Sequence, residues 1–489
     1  MKKIFTPILL ISLVIGIFVR SYEFKERFMY AHDNDLASWI VKDIVIDSHI
    51  RLIGQLTSSP GIFIGPYYYY TLIPFYLISN WDPLGTVWFS VLVGAISIIS
   101  VYYVFLKLYG KTPAAIAGFI YSISFGISGS EREVVPTTPV FLWCIWFFYS
   151  IHLLFRGEKK GLLYAMVLMA LVWHLNLALG LLFPLIIIAI WLHRKQYLFK
   201  DFYKPILTAL LLSVPLMLFE IRHGFSQTRS LFGTLFGMHT GSADFLGKIS
   251  HVVLYAARNA SWILFWDPPF SDYIIPGVLL VAFVIMLFFK KYYEKYSLML
   301  YSFWLLVYIL FFTFNSINLS EYYLNGLYII WLTFTVLLLS YLASVHKMLK
   351  VMVLFILTLF TLQNFTSFIT SPNNNSGYVE RTALVKYIKI DSVAHNYPCV
   401  SVSYMTTPGN NFGYRFLFYR EKLHVNQPKS ESPVYTIVFP HTLANRIDKS
   451  FGSLGLILPD YERYTPDQVA LSCSGANANL TDPMFGFTK

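Results

Sequence analysis

Two carboxylates two residues apart, Asp33 and Asp35, follow the first apolar segment of a chain that carries few charges. An ionised group beside a membrane is costly unless water, a partner or a substrate offsets its desolvation. A carboxylate in this position is able to take a proton from a hydroxyl group, and two together are able to hold a divalent cation. The pair therefore predicts a reactive site at a membrane surface. A helix is predicted to begin here, so either residue is alternatively its N-cap.

The composition is that of a membrane protein with several spans. Of 489 residues, 56% are hydrophobic and 13% are charged, a balance that soluble globular proteins do not show. The net charge of +11 is distributed over the connections between apolar segments. We therefore expect basic residues to set membrane orientation and do not expect nucleic acid as a partner.

About eleven segments are apolar enough and nearly long enough to span a bilayer as helices. They lie near 4–20, 82–106, 112–128, 137–155, 161–175, 176–192, 205–219, 272–289, 297–314, 323–345 and 349–368. With a cytoplasmic N-terminus, the connections on the inner side are short and basic, as the positive-inside rule requires. The outer side then carries loops at about 21–81 and 220–271 and the C-terminal tail. The stretch 161–192 is either one long helix or two short ones broken near His174 to Asn176, and two keep the basic pattern intact.

The tail differs in character from the rest of the chain. We predict a transmembrane domain over residues 1–370 and a soluble extracytoplasmic α/β domain over 371–489, which opens on a cluster of turn formers. Helices are predicted at 379–390 and 412–422, and strands at 399–404 and 434–439. Cys399 and Cys473 either form a disulfide or remain two buried thiols.

The first outer loop is patterned along its whole length. After the acidic pair, Leu36 to Ile46 places most of its apolar residues on one helical face, which is typical of a helix in the membrane interface. A segment rich in Gly and Pro then leads into four consecutive tyrosines, 67–70. Tyrosine is favoured at membrane interfaces, so an aromatic belt explains most of them. Tyr68 is our candidate for stacking on a sugar or a prenyl chain.

The chain resembles membrane glycosyltransferases of the GT-C class in three features: one span is followed by a long outer loop, this loop opens on an Asp-containing motif, and it contains the run Gly61 to Tyr70. The resemblance is to the bacterial branch related to protein O-mannosyltransferases and aminoarabinose transferases, over roughly residues 1–370. It implies a GT-C fold, a polyprenyl-phosphate sugar as co-substrate and a first-loop acidic residue as catalytic base. Asp33 occupies that place. Because Asn34 stands where such families often have a second acidic residue, Asp35 is the candidate for the second carboxylate.

Transfer from a phosphate-linked donor also requires cations that stabilise the departing phosphate. Arg222, next to His223 at the outer end of a span, is the first candidate, and snorkelling toward lipid headgroups is its alternative role. Arg132 is the second, and it alternatively pairs with its neighbouring glutamates. His174 and Glu321 are candidates for substrate contacts, with core packing and interface anchoring as their alternatives.

The predicted function is therefore transfer of a sugar to a hydroxyl of a glycolipid, cell-wall polymer or protein at the outer face of the cytoplasmic membrane. Two alternatives remain, a lipid-linked oligosaccharide polymerase or ligase and a polytopic transporter. Nearly uncharged span interiors disfavour the transporter, and the Asp-centred first loop disfavours the polymerase. A divalent metal ion at Asp33 and Asp35 is left open, and no other cofactor is predicted.

Overall fold

The computed structural model describes residues 7–236, 245–265, 272–289, 296–315, 317 and 319–482. Most of them are helical. The helices before the C-terminal sheet are α1 (Pro7–Ser21), α2 (His32–Val45), α3 (Tyr67–Ile78), α4 (Val87–Tyr109), α5 (Lys111–Ile123), α6 (Phe125–Arg132), α7 (Val140–Phe155), α8 (Lys160–Leu175), α9 (Phe183–Leu192), α10 (Phe199–Arg222), α11 (Ser226–Phe236), α12 (Phe245–Leu264), α13 (Ile274–Phe289), α14 (Ser297–Phe314), α15 (Tyr328–Val345) and α16 (Lys347–Thr370).

Each predicted apolar segment coincides with a helix or with two consecutive helices. By length and composition, five helices of the described chain are able to cross a membrane, or six if α5 and α6, which meet at 56°, form one span. Five further apolar helices are shorter. The number of spans and the orientation across the membrane stay predictions.

The predicted break between α8 and the next apolar helix is confirmed at Asn176. Its backbone is extended, at φ −155° and ψ 115°, and its side-chain oxygen accepts a hydrogen bond from the N–H of Ala178 at 3.0 Å. The side chain thus caps the short 3-10 turn Leu177–Leu182, which leads into α9. An Asn in this position competes for backbone hydrogen bonds and ends the preceding helix.

A buried ion pair joins α1 to α6. The Arg20 Nη2 and Glu131 Oε2 atoms are 2.5 Å apart, both side chains are fully buried, and the Tyr121 hydroxyl donates to Glu131 Oε1 at 2.6 Å. Gly94 on α4 leaves room for this pair, since a Cβ there would lie 2.2 Å from Arg20 Cδ. The pair fixes the first helix against the bent α5–α6 unit.

The C-terminal region forms a five-stranded sheet in the order β2-β1-β3-β5-β4. Strands β2, β1 and β3 are parallel, and β5 is antiparallel to β3 and β4. The elements are α17 (Tyr378–Ala394), β1 (Val400–Thr406), α18 (Arg415–Arg420), β2 (Val425–Asn426), β3 (Val434–Phe439), β4 (Lys449–Phe451), β5 (Leu454–Ile457), α19 (Pro466–Ser472) and α20 (Ala478–Thr481).

Local patterns in this region predict its elements well. The predicted first helix and both predicted strands are confirmed as α17, β1 and β3. The second helix is shorter than predicted, because Gly413 has a φ of +91° and the helix begins only after it. A disulfide joins Cys399 and Cys473, with their Cα atoms 5.5 Å apart, and so ties β1 to α19.

The sheet shares one hydrophobic core with the first outer loop. Side chains from α2 and α3, such as Leu36, Ile40 and Tyr76, are buried with Phe416 and Leu456 of the C-terminal region. The apolar face of α2 therefore packs on protein and not on lipid, and the position of α2 relative to the membrane interface stays a prediction. The predicted boundary at residue 370 falls in the turn between α16 and α17, yet the C-terminal region does not pack by itself.

Candidate active site

The N-terminus of α2 is fixed by an amide, not by a carboxylate. Asn34 Oδ1 accepts the N–H of Ala31, the N-cap residue, at 3.1 Å. The Asn34 amide nitrogen donates to the carbonyls of Glu133 and Val134 at 3.1 and 3.0 Å. Neither acidic residue is thus the N-cap, and Asn34 holds the start of α2 against the turn that follows α6.

Asp35 lies in the interior of the protein, at 1% exposure. Its Oδ1 accepts the Tyr30 hydroxyl at 2.8 Å and the N–H of Phe416 at 2.9 Å, and its Oδ2 accepts the N–H of Arg415 at 3.2 Å. Burial raises the pKa of this carboxyl to about 6, against the lowering effect of these hydrogen bonds and of the nearby Arg381. Asp35 therefore joins the first outer loop to the start of α18.

Asp33 faces a large cavity. Its Oδ1 accepts a hydrogen bond from Gln55 Nε2 at 3.1 Å. Gln55 is itself held by the buried Tyr69, whose hydroxyl donates to Gln55 Oε1 and accepts the Gln55 N–H, both at 3.1 Å. Because successive residues of an α-helix are rotated by about 100°, side chains two positions apart leave opposite faces. Asp33 and Asp35 consequently have different surroundings.

The cavity has a volume of about 1400 Å³ and walls of two kinds. The segment between α1 and α4 and the turns before α7 and α15 supply most of its polar lining, and α8, α9 and α10 supply much of its apolar lining. The polar residues include His32, Asp33, Gln55, Ser58, Glu133, Tyr322 and Tyr323. The apolar residues include Met166, Met169, Trp173, Phe183, Ile206 and Leu210. Such a cavity is suited to a ligand with a polar head and a long apolar tail.

Glu133 is the main site residue that the sequence analysis missed. It lines the cavity and is accessible from within it, although protein surrounds the carboxyl. This partial burial and the negative charge of Asp33 raise the pKa of Glu133 to about 7. The sequence signal was an acidic residue in the outer turn before Pro136, which we considered only as a partner for Arg132.

A further polar group of the cavity comes from the turn before α15. Ser58 is within hydrogen-bonding distance of the hydroxyls of Tyr322 and Tyr323, at 3.3 Å for Tyr322. Asn176 donates to the carbonyl of Tyr322 at 3.1 Å, so the helix break supports the same wall. Glu321, the residue predicted here, is exposed and is absent from the cavity lining among the described residues.

Two of the predicted substrate contacts lie behind the cavity wall. Tyr68 is buried and its hydroxyl donates to the carbonyl of Val134 at 2.6 Å, so it braces the turn that carries Glu133. His174 is 1% exposed, and its ring stacks on that of Tyr67 with the centroids 4.0 Å apart.

The predicted cations lie outside the cavity lining. Arg132 donates to the carbonyls of Val19 and Tyr22 at 3.2 and 2.7 Å and does not pair with a neighbouring glutamate. Arg222 and His223 are exposed at the end of α10. The cavity lining contains no Lys or Arg within the part of the chain that the structure describes. In that same part, no three His, Cys, Asp or Glu side chains are grouped to hold a metal ion.

The helical bundle, the small C-terminal sheet and the amphipathic cavity together have the architecture of GT-C membrane glycosyltransferases. Residues 64–219 match the family described as dolichyl-phosphate-mannose-protein mannosyltransferase. The structure is similar to ArnT from Cupriavidus metallidurans bound to undecaprenyl phosphate, with a TM-score of 0.55 and 10% identity over 94% of this chain and 99% of that chain. The apo state of the same ArnT gives a TM-score of 0.57 and 9% identity, over 94% of this chain and 98% of that chain.

At this identity the structural likeness establishes the fold. The predicted fold class is confirmed, a polytopic helical membrane protein of GT-C type with a C-terminal α/β region. No curated protein sequence matches the chain.

Proposed function

We propose that the protein transfers a sugar from a polyprenyl phosphate to an acceptor hydroxyl at the outer face of the cytoplasmic membrane, with Asp33 as the base. The observation that carries this proposal is the position of Asp33 on the wall of the 1400 Å³ cavity. There a carboxylate held by Gln55 meets an apolar lining from three helices. The acceptor is a glycolipid, a cell-wall polymer or a protein.

The apolar side of the cavity fits the lipid part of such a donor. Helix α10 contributes Ile206 and Leu210 to the lining, while only 17% of its 18-residue apolar stretch is buried within the protein. A prenyl chain that passes beside this helix stays in apolar surroundings. The undecaprenyl phosphate bound to ArnT from Cupriavidus metallidurans supports the same choice of donor.

The chemistry follows from the residues at the polar side. Asp33 accepts the proton of the acceptor hydroxyl while the acceptor oxygen forms a bond to the anomeric carbon. The bond from that carbon to the phosphate oxygen breaks on the opposite face, and polyprenyl phosphate leaves with the electron pair. One base and direct displacement invert the anomeric configuration. Arg222 and His223, which lie outside the described cavity lining, remain our candidates for contact with the phosphate, since guanidinium and imidazole N–H groups donate hydrogen bonds to phosphate oxygens.

The test is transfer by the purified protein in lipid vesicles that contain a polyprenyl-phosphate sugar, with envelope fractions as acceptors and mass analysis of the product. Asp33→Asn is expected to lower the rate by about 10²- to 10⁴-fold, because the base is lost. Asn410→Ala, in the loop between β1 and α18 and outside the described cavity lining, is the matched control and should leave the rate unchanged. Full activity of Asp33→Asn in folded, inserted protein would rule out this mechanism.

A further inference from the structure

A second, smaller cavity lies between the start of α2 and the C-terminal sheet. It has a volume of about 300 Å³, and we call it the sheet pocket. Its lining includes His32, Tyr404, Asn411, Phe412, Tyr414 and Gln427. We propose that the sheet pocket binds a sugar ring of a neutral glycan acceptor. The inference rests on the proposed function and names the class of acceptor for the same site.

The walls of the sheet pocket suit a sugar. Four aromatic rings line it, those of Tyr404, Phe412, Tyr414 and Phe418. Aromatic faces are apolar and carry negative charge density, so they pack against the C–H faces of a pyranose ring. Side-chain amides both donate and accept hydrogen bonds, as sugar hydroxyls do. The volume is at the lower end of the range for ligand sites, which favours one or two sugar rings over a lipid chain.

The polar groups that are free to bind a ligand are neutral. The Tyr404 hydroxyl and the Asn411 amide have no hydrogen-bond partner among the described residues. The Tyr414 hydroxyl is buried and also lacks one in that part of the chain. An unsatisfied buried polar group costs free energy until a ligand supplies its partner.

The charged groups of the sheet pocket already have partners within the protein. Asp35 accepts three hydrogen bonds. The Arg415 guanidinium donates to the carbonyls of Asn479 and Asp482, and Gln427 Nε2 donates to Asp482 Oδ2 at 2.8 Å. Because the remaining groups are hydroxyl and amide, the sheet pocket favours a neutral polyhydroxylated ligand over a phosphate or a carboxylate.

His32 connects the sheet pocket to the candidate active site. It lines both cavities, and its ring lies 4.7 Å from that of Phe412, centroid to centroid. The next residue in the chain is Asp33, on the wall of the large cavity. A glycan whose inner ring occupies the sheet pocket therefore extends past His32 toward the proposed base. A peptide acceptor would instead rely on main-chain hydrogen bonds along a sheet edge, and the free groups here are side chains.

The test is saturation-transfer NMR with the full chain in lipid nanodiscs, which avoids sugar-based detergents. The probes are methyl glycosides of common hexoses and N-acetylhexosamines, with a Ser- and Thr-containing peptide as the rival ligand. At least one glycoside should bind, and Asn411→Ala or Tyr404→Phe should each weaken binding by about three- to tenfold, as expected for one lost hydrogen bond. Asn410→Ala is the matched control. Asn410 is next to Asn411 in the chain, but its side-chain amide donates to Thr407 and it is absent from the described lining of the sheet pocket.

The outcomes separate this inference from the proposed function. Asp33→Asn should bind the glycoside as the wild type does, because the sheet pocket is intact without the base. If the protein binds glycosides but shows no sugar transfer, the proposed function is contradicted and glycan binding in the sheet pocket is still supported. The inference is overturned if no glycoside binds, if the peptide binds in an Asn411-dependent way, or if Asn411→Ala and Asn410→Ala bind alike.

Discussion

Asp33 and Asp35 occupy the same turn of α2 and have opposite surroundings. Asp33 lines the large cavity and accepts one hydrogen bond from Gln55, whereas Asp35 is buried and accepts hydrogen bonds from Tyr30 and from the backbone of α18. Two carboxylates that look equivalent in the sequence are therefore separable by experiment.

The first prediction contrasts the two amide variants. Asp35→Asn should destabilise the protein by about 1–3 kcal/mol, because its amide nitrogen would face a backbone N–H of α18 and leave that donor unsatisfied. Asp33→Asn should melt like the wild type and lose transfer. Thermal melting in detergent together with the transfer assay checks both. Equal melting temperatures for the wild type and Asp35→Asn would show that Asp35 does not stabilise the contact between α2 and α18.

The second prediction concerns the pH dependence of stability. The pKa of Asp35 is about 6 in the folded protein, above its value of about 3.9 in an unfolded chain. The folded state therefore binds the proton of Asp35 more tightly than the unfolded state does. The protonated carboxyl stabilises the fold fully below about pH 4, and this stabilisation is lost as the pH rises through about 6. The melting temperature of the wild type should fall across this interval relative to Asp35→Asn. Parallel curves for the two proteins would show that Asp35 does not titrate there.

The third prediction concerns Glu133. Its pKa of about 7 means that the carboxyl is neutral below that pH and charged above it. A new negative charge beside Asp33 repels the donor phosphate, so the KM for the lipid donor should rise as the pH passes about 7. Glu133→Gln should remove this rise and keep a low KM. A rise of equal size in Glu133→Gln would assign it to another group.

The fourth prediction concerns the buried pair Arg20–Glu131. Glu131→Gln leaves the Arg20 guanidinium buried without its counter-charge and should cost about 3–5 kcal/mol of stability. The double variant Arg20→Met with Glu131→Gln should recover most of that loss, because no isolated charge remains. Thermal melting of the two single variants and the double variant measures the coupling. Additive losses would show that the two side chains act independently.

The fifth prediction concerns the packing behind the cavity wall. A Cβ at Gly65 would lie 2.0 Å from His174 Nδ1, and the His174 ring is stacked on Tyr67. Gly65→Ala should therefore cost about 1–3 kcal/mol through overpacking, and adding His174→Ala should relieve it. Gly129→Ala is the matched control, because its Cβ would meet no atom of the described residues within 4 Å. An effect of the same size at both glycines would exclude the steric cause.

Local pattern in the sequence was sufficient to determine several features. Apolar length predicted the helices of the bundle, and the pattern of basic connections predicted the break after α8, near His174 to Asn176. A run of β-branched and aromatic residues predicted β3 at its observed bounds, Val434–Phe439. These features depend on the hydrophobicity and hydrogen bonding of residues close in the chain. The resemblance to GT-C glycosyltransferases rests on the same short segments.

Only the tertiary structure decided how the residues of the candidate site divide their roles. Asn34 contacts the carbonyl of Glu133 across 99 residues, and Asp35 contacts the N–H of Phe416 across 381. Such contacts depend on how distant segments pack, and neither periodicity nor residue type at one position encodes them. The sequence alone therefore predicts a carboxylate pair at a membrane surface and does not distinguish its two members by their surroundings. The packing of the C-terminal sheet against α2 buried Asp35 and left Asp33 facing the cavity.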